Sequence, residues 1–91
     1  MKEKESRERC FQNALGMLTV VNQWLPKQNV QLSVMRTRIE LTLYFNEKES
    51  ELMDAIVAML EPIKLEWADY SENFYGDHGI YSACYTWEII D

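Results

Sequence analysis

The side chains best suited to chemistry gather around the only histidine of the chain. His78 follows Asp77, and a histidine beside a carboxylate can act as a general base. Three nearby side chains carry a nucleophilic atom: Ser71, Ser82 and Cys84. Gly76 and Gly79 flank the pair, however, and this pattern is typical of a solvated turn. Because catalysis also needs a third, orienting group, we predict no catalytic residue and no enzyme.

Four carboxylates in the same region form a second chemical candidate, a site for a divalent cation. They are Glu66, Asp69, Glu72 and Asp77. A calcium-binding loop places oxygen ligands at alternate positions around a glycine, and this spacing does not match that pattern. The spacing instead predicts a solvated acidic face. We therefore predict no metal site and no cofactor.

The cysteines and the apolar runs bear on the compartment. Cys10 and Cys84 lie far apart without a C-x-x-C spacing, which predicts two reduced thiols and neither a zinc site nor a redox motif. The mixed charges of residues 1–9 do not resemble a secretory signal. The longest apolar run near that end, residues 14–21, is less than half the ~20 residues that a membrane span requires. These features predict a cytoplasmic protein without membrane contact.

Charge is divided unevenly along the chain. Residues 1–46 contain seven Lys or Arg against four Glu, a net charge of +3. Residues 47–91 contain two Lys against eleven Asp or Glu, a net charge of −9. Arg36 and Arg38 are the only close basic pair outside the mixed N-terminus, so we predict no direct binding of DNA or RNA. The acidic half favours a partner with a positively charged surface.

Aromatic residues are concentrated in the same acidic half, where seven of the eleven lie between residues 67 and 87. Alternation predicts that four of them face a core: Trp67, Tyr81, Tyr85 and Trp87. The other three fall in or beside residues 71–79, which we expect to form a loop. There they could anchor a partner or fold back onto the core. The predicted partner-binding residues combine these aromatics with the nearby carboxylates: Glu66, Asp69, Tyr70, Glu72, Phe74, Tyr75 and Asp77.

Size, acidity and aromatic content together favour a protein-binding role. Carboxylates can present phosphate-like charge to a groove of Lys and Arg and deny that groove to nucleic acid. We expect a small acidic inhibitor or modulator of a basic, nucleic-acid-handling protein, a role that suits a phage anti-defence protein, an immunity protein or an antitoxin. The alternative is a structural module that forms a homo-oligomer such as a homodimer, in which the acidity serves only solubility.

Three-and-four spacing of apolar residues predicts two helices. The first covers residues 6–25 and ends before Pro26. Its apolar stripe comprises Phe11, Ala14, Leu15, Leu18, Val21 and Leu25. The second begins at Asn46, where Asn46 and Glu49 can form a capping box, and ends near Pro62. Its stripe comprises Leu52, Ile56, Met59 and Leu60.

The remaining segments have a period of two, which is typical of strands. Residues 29–45 change parity near Thr37, so they form either one bulged strand or a hairpin. Residues 63–67 and 81–89 alternate as two further strands. The order α-β(β)-α-β-β predicts a single α+β domain over residues 1–91. In it, two helices pack on one face of a three- or four-stranded antiparallel sheet.

Overall fold

The structure is a computed structural model that describes residues 5–63 and 68–90. Within them the predicted α+β class is confirmed, with two helices and a four-stranded antiparallel sheet. The helices are α1 (Arg7–Val21) and α2 (Ser50–Leu60). The strands are β1 (Glu5–Ser6), β2 (Val30–Val34), β3 (Arg38–Asn46), β4 (Ala68–Tyr75) and β5 (Ile80–Ile90). Short 3-10 helices occupy Lys27–Asn29, Glu47–Glu49 and Glu61–Ile63.

The four long strands lie in the order β4-β5-β3-β2, and neighbouring strands run antiparallel. The two residues of β1 pair in parallel with the end of β5. Residues 29–45 form a hairpin, because Val34 of β2 pairs with Ile39 of β3. The N–H of Met35 donates to the carbonyl of Arg38 over 2.8 Å. The change of parity in the sequence therefore marks a reversal of the chain.

The hydrophobic core covers one face of the sheet. Odd-numbered side chains of β3 and β5 are buried there: Ile39, Leu41, Leu43, Phe45, Ala83, Tyr85, Trp87 and Ile89. The register places the even-numbered side chains of β2 and β4 on the same side, since directly paired residues share a face. We call this side the core face and the opposite side the outer face. Both helices contact the two central strands, β3 and β5.

The buried stripe of helix α1 overlaps the predicted one only in part. Its buried residues are Cys10, Ala14, Met17 and Val21, of which Ala14 and Val21 were predicted. Phe11 and Leu15, which we expected in the core, are each 38% exposed. Two apolar stripes overlap on this helix, and the one that includes the small side chains of Cys10 and Ala14 meets the sheet. Smaller side chains allow the helix axis to approach the strands more closely.

Helix α1 also ends earlier than predicted. The last helical residue is Val21, and the N–H of Trp24 bonds back to its carbonyl over 3.0 Å. The tightened turn returns Leu25 to the core, where it is buried. Pro26 therefore follows a helix that has already ended, and it precedes the 3-10 helix Lys27–Asn29 instead.

The start of the second helix confirms the predicted capping box. The Asn46 side chain accepts from the N–H of Lys48, and the Glu49 carboxylate accepts from the N–H of Asn46, each over 2.9 Å. The first turn is a 3-10 helix, and α2 proper begins at Ser50. Its buried stripe is Met53, Ile56 and Leu60, whereas Leu52 is exposed.

The region before the last strand differs most from expectation. Residues 71–75, predicted as part of a loop, continue β4, and the connection to β5 is a turn over residues 76–79 only. Ile63, predicted in a strand, lies in a 3-10 helix. The rest of that predicted strand, residues 64–67, lies outside the described residues. The loop prediction for residues 71–75 was wrong because it relied on their polar character. An edge strand needs no alternating apolar side chains when both of its faces meet solvent.

Candidate protein-binding edge

Strand β4 carries most of the predicted partner-binding residues and lies at one edge of the sheet. Among the described residues it pairs only with β5. All of its side chains from Ser71 to Tyr75 are exposed. Of the seven predicted residues, Glu66 lies outside the described residues. Five others lie on β4, and Asp77 lies in the turn that follows.

The strand distributes these side chains over both faces of the sheet. The core face receives Tyr70, Glu72 and Phe74, whereas the outer face receives Asp69 and Tyr75. The predicted residues are therefore close in space but do not form one flat patch. A partner that touches all of them must reach around the edge of the sheet.

The aromatic side chains on the core face stack on β5. The ring of Phe74 lies 4.5 Å from that of Tyr81, and the ring of Tyr70 lies 5.0 Å from that of Tyr85, measured between centroids. Phe74 nonetheless stays 51% exposed, and Tyr75 on the outer face is 47% exposed. Adjacent positions on a strand cannot share a face, which explains why the two aromatics diverge. Of the four aromatics predicted to face the core, Tyr85 and Trp87 are buried, Tyr81 is partly buried, and Trp67 is outside the described residues.

Carboxylates lie near two paired tyrosines, Tyr70 of β4 and Tyr85 of β5. Burial raises the pKa of Tyr85 to about 12, and the negative charges of Glu61 and Glu72 add to the rise. Burial also raises the pKa of Tyr70, and the nearby carboxylate of Glu72 adds to the rise. The Tyr85 hydroxyl is buried and has no hydrogen-bond partner among the described residues. Both phenols are therefore held in the neutral form beside negative charge.

Helix α2 and the 3-10 helix that follows it supply acidic residues that sequence reasoning missed. Asp54 of α2 acts on the pKa of Tyr70 and Glu61 acts on that of Tyr85, so the two carboxylates lie near the core face of β4 and β5. At the turn, the N–H of Glu47 donates to the carbonyl of Gly79 over 2.7 Å. A helical period places Asp54 and Glu61 on one flank, seven residues apart, and this signal was present in the sequence.

Residues 76–79 form a turn, as predicted for Asp77 and His78 with a glycine on each side. Gly79 adopts a left-handed conformation with φ of 61°, which favours glycine. The N–H of His78 donates to the carbonyl of Tyr75 over 3.0 Å, and the His78 side chain is exposed. The thiol of Cys84 lies on the outer face, within 3.5 Å of the Thr42 hydroxyl. Cys84, one of the three candidate nucleophiles, therefore lies on the outer face, whereas His78 lies in the turn, and no described hydrogen bond joins them.

Arg7, Arg36 and Arg38 lie at the end of the sheet opposite the β4–β5 turn. The Arg7 guanidinium donates to the carbonyls of Met35 and Arg36, and these bonds tie the start of α1 to the β2–β3 loop. Arg38 forms an ion pair with Glu40 over 2.9 Å. Two of the arginines of the basic half are thereby held in contacts within the chain.

Comparison of the chain with models of known families, with curated proteins and with solved structures found no match. Within residues 5–63 and 68–90, no helix is long and apolar enough to cross a membrane. The same residues contain no group of three or more His, Cys, Asp or Glu arranged to hold a metal ion.

Proposed function

We propose that this protein binds a basic protein through the acidic, aromatic edge of its sheet and thereby inhibits or modulates that protein. The observation that carries the proposal is the position of β4. Five predicted partner-binding residues lie on one exposed edge strand, near further carboxylates from α2 and the 3-10 helix after it. A partner that handles nucleic acid suits this edge best, because such proteins present grooves of Lys and Arg.

Charge and aromatic anchors have separate roles in this proposal. Asp69, Glu72 and Asp77 steer the encounter, since exposed charges act mainly on the rate of association. Phe74 and Tyr75 are about half exposed, so each has apolar area to bury against a partner. Aromatic side chains that become desolvated in this way are the residues that most often dominate binding energy.

The remaining part of the proposal concerns the layers of the fold. We take both helices to cover the core face, in agreement with their contacts to β3 and β5. The outer face of the central strands then presents mainly short polar side chains near its middle, among them Thr42, Cys84 and Thr86. This part of the sheet is a poorer docking surface than the β4 edge, because short polar side chains offer little apolar area to bury.

Neutralising β4 tests the proposed function. The immobilised protein should retain a basic protein from a lysate of its native host, and double-stranded DNA should compete with it. The double variant Asp69→Asn/Glu72→Gln keeps the shape but removes two charges, so association should slow by about tenfold and its salt dependence should flatten. Glu8→Gln/Glu51→Gln is the matched control. Equal binding by the two double variants would contradict the proposal.

The second candidate function is a homo-oligomer assembled through the other edge. Strand β2 (Val30–Val34) contains no charged residue, and Val34 on its core face is 52% exposed. Phe11 and Leu15 follow Arg7 at four-residue intervals, and Arg7 binds the β2–β3 loop, so this flank of α1 lies toward β2. Gel filtration with light scattering discriminates the two functions. A dimer that Val34→Lys disrupts would support assembly, and a monomer would support inhibition.

A further inference from the structure

The direction of the backbone groups in β4 follows from one hydrogen bond of β5. In an antiparallel sheet the N–H and C=O of one residue point toward the same neighbouring strand, and successive residues alternate. The N–H of Ile89 donates to the carbonyl of Thr37 over 3.0 Å, on the β3 side. The odd-numbered residues of β5 therefore bond toward β3, and the even-numbered ones bond toward β4.

The register carries this alternation across to β4. Cys84 pairs with Ser71, and Ser82 pairs with Asn73, so the odd-numbered residues of β4 bond toward β5. Glu72 lies between Ser71 and Asn73 and must direct its N–H and C=O away from the sheet. The N–H and C=O of Phe74, two residues further along the strand, point in the same direction. Among the described residues, no strand pairs with this outer edge.

The outer edge of β4 has little of the protection that edge strands normally carry. The strand is eight residues long, and Ala68–Tyr75 contains no Lys, Arg or Pro. Its one-to-one register with β5 shows no bulge over these residues. Edge strands usually carry such devices because unpaired backbone groups recruit other strands. The acidic side chains on β4 restrict which strands can be recruited.

We propose that an extended, basic segment of the partner protein adds to the sheet along β4, bonding to the backbone of Glu72 and Phe74. The inference rests on the proposed function and specifies its binding mode. The added strand would set alternate side chains against Glu72 and Phe74 on the core face and against Tyr75 on the outer face. Lys or Arg beside Glu72 would match the charge of the edge.

A second copy of this chain is a less favourable occupant of the same edge. Two β4 strands related by a two-fold axis near Glu72 would bring the Glu72 carboxylates of both copies together. Like charges directly opposite each other destabilise a strand pair. A basic segment from another protein meets no such repulsion, so charge selects between the two occupants.

Hydrogen exchange in the unmodified protein provides the first test. The probe is a capped peptide of alternating Lys and Thr, seven residues long, observed by NMR with the labelled protein. Saturating peptide should slow exchange of the Glu72 and Phe74 amides by about fivefold or more, because each would gain an acceptor. The Val34 amide on the β2 edge is the internal control. Unchanged exchange at Glu72 and Phe74, or protection that grows with protein concentration without peptide, would overturn the inference.

A pair of variants isolates the backbone contribution. Glu72→Gln and Glu72→Pro both remove the carboxylate, but only Glu72→Pro also removes the outward N–H, and edge positions tolerate proline. The peptide should bind Glu72→Pro about five to ten times more weakly than Glu72→Gln. Phe74→Pro against Phe74→Ala repeats the comparison if Glu72→Pro does not fold. Val34→Pro, on the opposite edge, should bind like the parent.

These outcomes separate the inference from the proposed function. If both Glu72 variants bind the peptide equally, strand addition is wrong. The host-protein assay with Asp69→Asn/Glu72→Gln would still show whether the acidic edge binds a basic protein. If that double variant retains the host protein as the parent does, the proposed function fails as well.

Discussion

The two edges of the sheet differ in both charge and exposure. Strand β2 is short, carries no charge and is partly buried at three of its five residues, and Arg7 ties the start of α1 to the β2–β3 loop. Strand β4 is longer and acidic, and its last five side chains are all exposed. The uncharged edge belongs to the basic half of the chain, and the acidic edge belongs to the other half. The uneven distribution of charge along the sequence therefore becomes a difference in charge between the two edges of the sheet.

The largest expected effect concerns the packing of α1 on the central strands, away from the β4 edge. Met17 is buried against the sheet, whereas Leu15 on the neighbouring flank is partly exposed. Met17→Ala should lower the free energy of unfolding by ~2–5 kcal/mol, and Leu15→Ala should lower it much less. Urea denaturation of both variants measures the difference. Similar losses would mean that the Leu15 flank of α1 is packed as closely as the stripe that contains Met17.

On the β4 side, alkaline pH should weaken the fold. The pKa of Tyr85 is raised to about 12 in the folded chain from an ordinary 10.0, so the unfolded chain releases this proton first. The corresponding stability is complete below pH 10 and is lost as the pH rises through about 12. The loss should reach at most about 2–3 kcal/mol.

The measurement is denaturant unfolding of the parent and Tyr85→Phe between pH 8 and pH 12. Because Tyr85→Phe has no phenol to titrate at this position, its stability should fall less steeply with pH. It should also be close to the parent at neutral pH, since the lost hydroxyl has no partner among the described residues. Parallel curves for the two proteins would contradict the raised pKa.

A matched pair of truncations compares the edges directly. Phe74 on β4 and Val34 on β2 are 51% and 52% exposed, and both lie on the core face. Phe74→Ala should accelerate dissociation of a basic partner, costing ~2 kcal/mol if Phe74 is a hot spot. Val34→Ala should leave that dissociation unchanged. Surface plasmon resonance measures both, and equal effects would remove the functional distinction between the edges.

Sequence reasoning predicted the parts of the fold that have strong local signals. The capping box at Asn46 and Glu49 and the alternation of β3 and β5 are examples. The parity change near Thr37 left two alternatives, because no turn residue distinguishes a bulge from a reversal. The predicted stripe of α1 was correct for Ala14 and Val21 but wrong for Phe11 and Leu15, because two overlapping stripes compete and contact with the sheet decides between them. Tertiary contacts carry that information, and a helical period does not.

The candidate site was predicted in composition but not in shape. Carboxylates and aromatics between residues 69 and 77 were identified, yet the segment was expected to be a loop rather than strand β4. A strand exposed on both faces has no apolar alternation to reveal it. The seven-residue spacing of Asp54 and Glu61 places them on one flank of a helix, but it does not show that this flank lies near Tyr70 and Tyr85.

The position of β5 in the chain has a consequence for synthesis. This strand pairs with β1, β3 and β4, yet it is the last of the five to leave the ribosome. Until then, the β2–β3 hairpin exposes one long edge of β3 and the apolar residues of its core face. Unpaired edges and exposed apolar surface are the usual sources of aggregation in incomplete chains. The sheet is therefore completed only after translation has passed Ile90, and stalled chains that lack β5 are expected to need chaperones.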